Sequence, residues 1–399
     1  MNQAIEKLHP YPFEKLADLK SGVSAPADKS EINLSIGEPK HQTPEFILDA
    51  LRANLNLSAK YPLTKGSEEL RGSIATWLIK RFSLPAGSIS EQKHIIPVNG
   101  TREALFAFAQ CVINKQLNDP LVLFSNPFYQ IYEGAAFFAD ATPWYINCDA
   151  ENNFQADYDA VPENIWKRCQ LLYICSPNNP TGRVLELETI KKLLQLADKY
   201  DFIIASDECY SEIYLDENQA PLGLLQAAAE LGRTNYERCL VFHSLSKRSN
   251  VPGLRSGFVA GDAKLIADFF KYRTYHGCAM APYTQAASVV AWQDEEHVKE
   301  NRRLYREKFD KVVNILKPVM SVQKPAATFY LWPETPEADT EFARGLFQQQ
   351  NVTVLPGSYL SREIDGHNPG ENRIRIALVA SLAECEEAAT RIRDYINSL

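Results

Sequence analysis

The chain has 399 residues, 45% of them hydrophobic and 23% charged, with a formal net charge of −8 at pH 7. That length holds two or three domains, or one large α/β domain with an appendage. The acidic balance argues against a nucleic-acid binder and a surface built for anionic membranes. Eight cysteines include no C-x-x-C pair, and some, such as Cys111 and Cys175, lie inside apolar runs, which fits small core residues in a reducing compartment. The opening MNQAIEKLHP has no apolar signal core, and no run of 18 apolar residues occurs. A soluble cytoplasmic protein with no membrane partner is expected.

In chain order, the first 45 residues are Pro-rich and weakly periodic around His9-Pro10-Tyr11-Pro12-Phe13, which reads as an arm. A strand over Ile95–Val98 ends in Asn99-Gly100-Thr101-Arg102, and Glu103–Ile113 follows with helical spacing of its apolar residues. Leu121–Phe124, Leu171–Cys175, Phe202–Ser206, Leu240–Phe242 and Gly257–Gly261 are further strands, mostly separated by helical stretches such as Glu186–Tyr200. Strands alternating with helices predict an α/β fold with a parallel-rich, doubly wound sheet. Beyond it come a long helix from Glu296 to Leu316, a strand at Phe329–Trp332, a helix over Thr340–Gln349, a strand at Arg373–Leu378 and a final helix from Ala383.

In such a sheet, ligands bind past the carboxyl ends of the strands, so the residues just after each apolar run carry the chemistry. Gly100-Thr101-Arg102 opens a helix whose free N–H groups can cradle a phosphate, or is an ordinary turn. Asn126-Pro127-Phe128-Tyr129 offers an aromatic to stack on a planar ring, or simple packing. Asn179, in Ser176-Pro177-Asn178-Asn179-Pro180-Thr181-Gly182, presents an amide. Asp207-Glu208-Cys209-Tyr210 offers a strand-end carboxylate that wants a cationic partner, with a phenol beside it. Ser244-Leu245-Ser246-Lys247-Arg248, followed by Arg255, delivers a lysine suited to Schiff-base chemistry and an arginine suited to a phosphate, or is a basic surface turn.

Jointly and in this order, these residues resemble the pyridoxal-phosphate-dependent aminotransferases of fold type I, class I/II, over essentially the whole chain. The strongest tokens are Asn179-Pro180-Thr181-Gly182, Asp207-x-x-Tyr210, and Ser244-x-x-Lys247 with Arg255 eight residues later. The resemblance implies pyridoxal 5'-phosphate as cofactor, held covalently by Lys247, with Asp207 paired to its ring nitrogen and Asn179 and Tyr210 on its phenolic oxygen. It makes Tyr129 the stacking aromatic, and Gly100, Thr101, Arg102, Ser244 and Arg255 the phosphate cup. Ile36 and Gly37 are expected beside the substrate, and Arg375 on its α-carboxylate, with Arg373 the competitor for that role. Tyr61 is expected to cross a homodimer interface to the partner's phosphate, and Arg273 to reach across it to a distal carboxylate, the alternative being a helix-surface arginine capping the turn after Ala263–Tyr272.

The resemblance also implies the architecture. A seven-stranded, mostly parallel sheet sandwiched by helices forms a large domain over residues 45–283. Residues 1–44 form the arm and part of a smaller α+β domain completed by residues 284–399. Segments such as Tyr11-Pro12-Phe13-Glu14-Lys15-Leu16 and Tyr272-Arg273-Thr274-Tyr275-His276-Gly277 are similar to bacterial N-succinyldiaminopimelate aminotransferases. That implies amino transfer from glutamate, yielding 2-oxoglutarate, to a succinylated keto acid, N-succinyl-2-amino-6-oxopimelate. Other class I/II aminotransferases (N-acetylornithine or aspartate/aromatic type) and carbon–sulfur β-lyases use the same lysine and aspartate, and stay open. The S-x-x-K spacing also occurs in penicillin-binding proteins, but no K-T-G accompanies it here, and an apolar strand precedes the serine. No P-loop, G-x-G-x-x-G, H-E-x-x-H or G-x-S-x-G is present.

Overall fold

The computed structural model describes residues 1–117 and 119–399. Seven strands form the central sheet: β1 (Ile95–Val98), β2 (Leu121–Asn126), β3 (Thr142–Asn147), β4 (Cys169–Cys175), β5 (Ile203–Asp207), β6 (Cys239–Ser244) and β7 (Gly257–Gly261). Their order is β1-β7-β6-β5-β4-β2-β3, and β7 alone runs antiparallel to its neighbours. Strand residues alternate between two cores because successive side chains point to opposite faces. Leu172 and Ile174 of β4 pack with Trp77 and Leu193, whereas Leu171 and Tyr173 pack with Phe108 and Phe242 on the other face. Burial on both faces is why these strands read as continuous apolar runs. Truncating a fully buried side chain such as Leu172 to alanine costs about 2–5 kcal/mol.

The helices include α1 (Pro12–Lys20), α2 (Thr101–Val112), α3 (Ile131–Phe138), α4 (Leu187–Tyr200), α5 (Ala263–His276), α6 (Pro282–Gln293), α7 (Glu296–Leu316) and α8 (Leu382–Ile396), of which α1 and α2 line the site. A separate core joins Phe309, Val312 and Leu316 of α7 to Ile392 of α8 and to a three-stranded antiparallel sheet. That sheet has the order β9 (Leu355–Pro356), β10 (Ile374–Ala377), β8 (Tyr330–Leu331). Ile32–Asn33 pairs in parallel with Val352–Thr353, so the amino-terminal segment belongs to this carboxyl-terminal core.

The structure departs from the sequence expectations at three places. Edge strand β3 went unread because its buried positions are few and Pro143 interrupts it. The supposed arm contains helix α1, started by Pro12, with Glu14 Oε2 reaching back to accept from the Tyr11 N–H at 3.0 Å. Helix α6 sends Ala287, Val289, Ala291 and Trp292 into the large core beside Trp77, so that core extends past the expected break at residue 283.

Candidate active site

A cavity of about 550 Å³ opens over the carboxyl ends of the central strands. Register explains its floor: Cys175, Asp207 and Phe242 lie side by side at the ends of β4, β5 and β6. The Asp207 carboxylate is buried and accepts from the Tyr132 hydroxyl at 2.8 Å and the Cys209 N–H at 3.2 Å. Burial is the main influence on this carboxyl and pushes it above the ordinary carboxylate value, opposed by those hydrogen bonds. A buried carboxylate with no cationic partner among these contacts is suited to a cation above it.

Lys247 sits in the one-turn helix Leu245–Arg248 that follows β6, and its Nζ donates to the Gly37 carbonyl at 2.5 Å. Burial pulls this amine down to about 8, with Arg375 and Arg102 adding to the effect and Cys209 and Glu38 opposing it. A substantial fraction is therefore the neutral nucleophile near physiological pH.

On the other side of the cavity, α2 begins at Thr101 with Gly100 as its N-cap, at φ +85° and with no side-chain cap. First-turn N–H groups are left open, and the helix dipole favours an anion there. A Cβ at Gly100 would overlap the Arg255 guanidinium, so the glycine keeps this cation at the helix mouth. Ser244 and Ser246, joined through their hydroxyls at 2.9 Å, line the same wall. Tyr129 lines it as well and accepts from Arg102 Nε at 2.7 Å.

The rim comes from distant segments. Arg375 of β10 donates from Nη1 to Asn179 Oδ1 at 3.0 Å and from Nη2 to the Ser35 carbonyl at 2.7 Å. Its Nε is buried without a partner among the described residues. Tyr330 packs its ring 4.4 Å from the Arg375 guanidinium and bonds the Tyr210 hydroxyl at 3.0 Å. Burial, then Tyr330, pushes the Tyr210 phenol well up, so it stays protonated. A Cβ at Gly37 would overlap the Tyr330 hydroxyl, which explains a glycine there. Ile36 is exposed at the mouth.

The expected residues thus gather at one cavity, Gly100 standing behind the Arg255 guanidinium that lines it, with three exceptions. Arg373 lies outside: it donates to the Trp332 carbonyl and stacks over Phe154. Tyr61 is wholly exposed and does not line the cavity of its own chain. Arg273 is a correction: it neither reaches outward to a distal carboxylate nor lies on the helix surface. Its side chain is fully buried, bonded from Nη1 to both Glu103 oxygens at 2.8 Å and from Nη2 to the Cys278 carbonyl. Sequence reasoning missed Tyr132, which lies in the first turn of α3 with its ring edge to face against Tyr129 at 5.8 Å. It also missed Tyr330 and Ser35, for which no local pattern exists.

A phosphate-bearing pyridine ring with an electrophilic carbon fits this lining: an anion cradle at Gly100 and Arg255, a buried carboxylate at Asp207, and a partly neutral lysine between them. Comparison with known proteins agrees. Residues 29–392 match the family described as "Aminotransferase class I and II". An LL-diaminopimelate aminotransferase of Nitratidesulfovibrio vulgaris (Hildenborough) is 33% identical over 391 residues, 96% of each chain. Among solved structures, an aminotransferase from Neisseria meningitidis Z2491 superposes with a TM-score of 0.94 at 51% identity, over 98% of this chain and 99% of that one. A probable N-succinyldiaminopimelate aminotransferase from Thermus thermophilus superposes with a TM-score of 0.84 at 28% identity, over 96% and 100%. Fold, cavity and relatives converge, and the chain belongs to the class I and II aminotransferases, whose cofactor is pyridoxal 5'-phosphate.

Proposed function

We propose that this aminotransferase moves the amino group of glutamate to N-succinyl-2-amino-6-oxopimelate, releasing 2-oxoglutarate and N-succinyldiaminopimelate. The observation that carries the reading is the ionic lining of the cavity. Four cations, Arg102, Lys247, Arg255 and Arg375, face two carboxylates, Glu38 and Asp207. With Arg255 on the phosphate, Asp207 on the ring nitrogen and Arg375 on the α-carboxylate, the Arg102 guanidinium is left for a distal carboxylate. Tyr11, Pro12, Phe13, Leu355 and Leu360 line the same cavity and suit the uncharged part of a long acyl chain.

When bound, pyridoxal phosphate supplies an electron-accepting ring for the charge left as a Cα–H bond breaks. The N–H groups of Thr101 and Arg102, the Ser244 hydroxyl and Arg255 hold the phosphate. Asp207, oriented by Tyr132, keeps a proton on the ring nitrogen. Because Asn179 Oδ1 serves Arg375, its Nδ2 remains as the donor that joins Tyr210 at the ring's phenolic oxygen. Tyr129 stacks on the ring. Arg375 would fix the α-carboxylate beside Gly37, and the Lys247 amine would be the base that takes the Cα proton.

The fully exposed Tyr61 supports a homodimer in which it completes the partner's phosphate site. Residues 45–283 are read as the cofactor domain and the remainder as the smaller domain, with α6 attached to the former. No helix among the described residues is long and apolar enough to cross a membrane, in keeping with a cytoplasmic enzyme.

A second reading, direct use of LL-diaminopimelate, draws on the names of the curated relatives and on the exposed Glu38, a carboxylate suited to a distal ammonium. Supplying 2-oxoglutarate with either N-succinyl-LL-diaminopimelate or LL-diaminopimelate, and measuring glutamate, separates the two. The succinylated substrate is expected to give the higher kcat/KM. A higher value for the free diamine replaces the substrate but keeps the reaction. Pyruvate from cystathionine with no glutamate formed overturns both in favour of a β-lyase.

A further inference from the structure

Beneath the cavity lies a buried polar chain that none of the roles above uses. Lys308 of α7 is almost fully buried, and its Nζ lies 2.6 Å from His41 Nε2. His41 Nδ1 lies 2.7 Å from Asn301 Oδ1, and Asn301 Nδ2 donates to the Lys247 carbonyl at 3.2 Å. Asn250 Nδ2 donates to the same Asn301 oxygen at 3.1 Å.

Donor and acceptor chemistry permits only one orientation of this chain. Turning the Asn301 amide over would set its oxygen against the Lys247 carbonyl, which can only accept. With the oxygen toward His41, Nδ1 must carry the hydrogen, and Nε2 is then the acceptor that Lys308 needs. The imidazole is therefore a neutral relay that points donors in one direction, from Lys308 through His41 and Asn301 to the Lys247 backbone. The surroundings hold that state. Burial first, then Lys308, pull His41 down to about 4, opposed by the Asn301 bond and by Glu300. Lys308 is itself pulled down to about 8, mainly by burial, with Lys40 adding to the effect and Cys385 and Glu384 opposing it. Tyr305 packs against the His41 ring at 4.4 Å.

The amino-terminal segment that carries His41 also carries Gly37, whose carbonyl accepts from Lys247 Nζ. The five residues Gly37 to His41 thus hold Lys247 at both ends: directly at its amine, and through Asn301 at its carbonyl. We propose that His41, Asn301 and Lys308 are positioning residues that lock the segment Ile36–His41, helix α7 and the Lys247 backbone into one unit, fixing where the lysine amine is presented. The inference rests on Lys247 carrying the cofactor and is independent of which keto acid is aminated.

The test uses the full-length holoenzyme, after borohydride reduction has mapped the cofactor to a lysine. A label on a lysine other than 247 overturns the proposed function, and this inference with it; a label on Lys247 leaves the chain to be judged by itself. Imidazole nitrogen NMR of histidine-labelled wild-type enzyme should show His41 neutral, with its hydrogen on Nδ1, near neutral pH. In His41→Phe and Lys308→Met, the pH at which the lysine–cofactor chromophore titrates should shift. Turnover should fall about 10-fold with little change in KM for glutamate. The double variant should be no worse than His41→Phe, and His41→Asn, which keeps a donor toward Asn301, should restore part of the loss. A protonated His41, or a hydrogen on Nε2, overturns the chain even if the Phe variant fails to fold. Folded variants with an unmoved chromophore titration and wild-type turnover overturn it as well.

Discussion

The floor and the rim of the cavity are built differently. Asp207 ends a strand in the middle of a seven-stranded ladder, flanked in register by Cys175 and Phe242. Arg375 sits on a four-residue strand of a three-stranded sheet, and its guanidinium is held by Ser35 and Asn179, respectively 340 and 196 positions away in the chain. A ladder fixes a strand-end side chain through backbone bonds that substitution leaves intact. A rim side chain is fixed only by partners that must arrive from elsewhere. Changes on the floor should therefore alter chemistry while binding survives, and changes at the rim should alter binding first.

The harshest test of that contrast is Lys247→Ala. It should retain cofactor in the phosphate cradle yet lose the glutamate half-reaction by at least about 10⁴-fold, since the proton carrier is gone. Single-turnover absorbance reads the loss, and residual turnover near wild type would remove Lys247 from the chemistry. Asp207→Asn comes next, with kcat lower by about 10²–10³-fold and cofactor still bound. An amide cannot offset a protonated ring nitrogen, and a variant that fails chiefly through KM would erase the distinction between floor and rim. For the rim, Arg375→Lys keeps the charge but loses the planar fork, so kcat/KM for glutamate should drop about 10²-fold, mostly through KM. An equal fall in kcat alone would contradict the assignment.

The gentlest test is pH. The Lys247 amine is lowered to about 8 in the fold, below its unfolded value of 10.5. The fold disfavours the ammonium, so this group weakens the apoenzyme below about pH 8, and its contribution improves as pH rises from there toward 10.5. Melting of cofactor-free enzyme should show that gain relative to Lys247→Met over the same window. Condensation with added pyridoxal phosphate should rise through a midpoint near 8. A midpoint near 10 would mean that the amine is solvated.

The same contrast explains what could be read in advance. Strand-end residues such as Asn179, Asp207 and Lys247 were legible because an apolar run announces each strand and the fold puts function after it. Arg375 was legible from its family pattern, and only the structure separates it from Arg373, which lies before β10 rather than within it. Tyr330 and Ser35 gave no signal, since their place depends on closure of segments far apart in sequence. Arg273 was misplaced for a related reason: a Tyr-Arg-Thr-Tyr stretch reads as a surface, and nothing local announces that Glu103 waits beneath it.

That buried pair constrains how the protein can vary. Glu103 lies in the first turn of α2, accepts from the Asn99 N–H at 3.0 Å, and stands beside the positions proposed to receive the phosphate. Left alone, its negative charge would oppose an anion at the same helix end. Arg273 cancels that charge from below, so neither position is free to drift singly. A lineage that loses the arginine must lose the glutamate with it, and positions 103 and 273 should change as a pair or not at all.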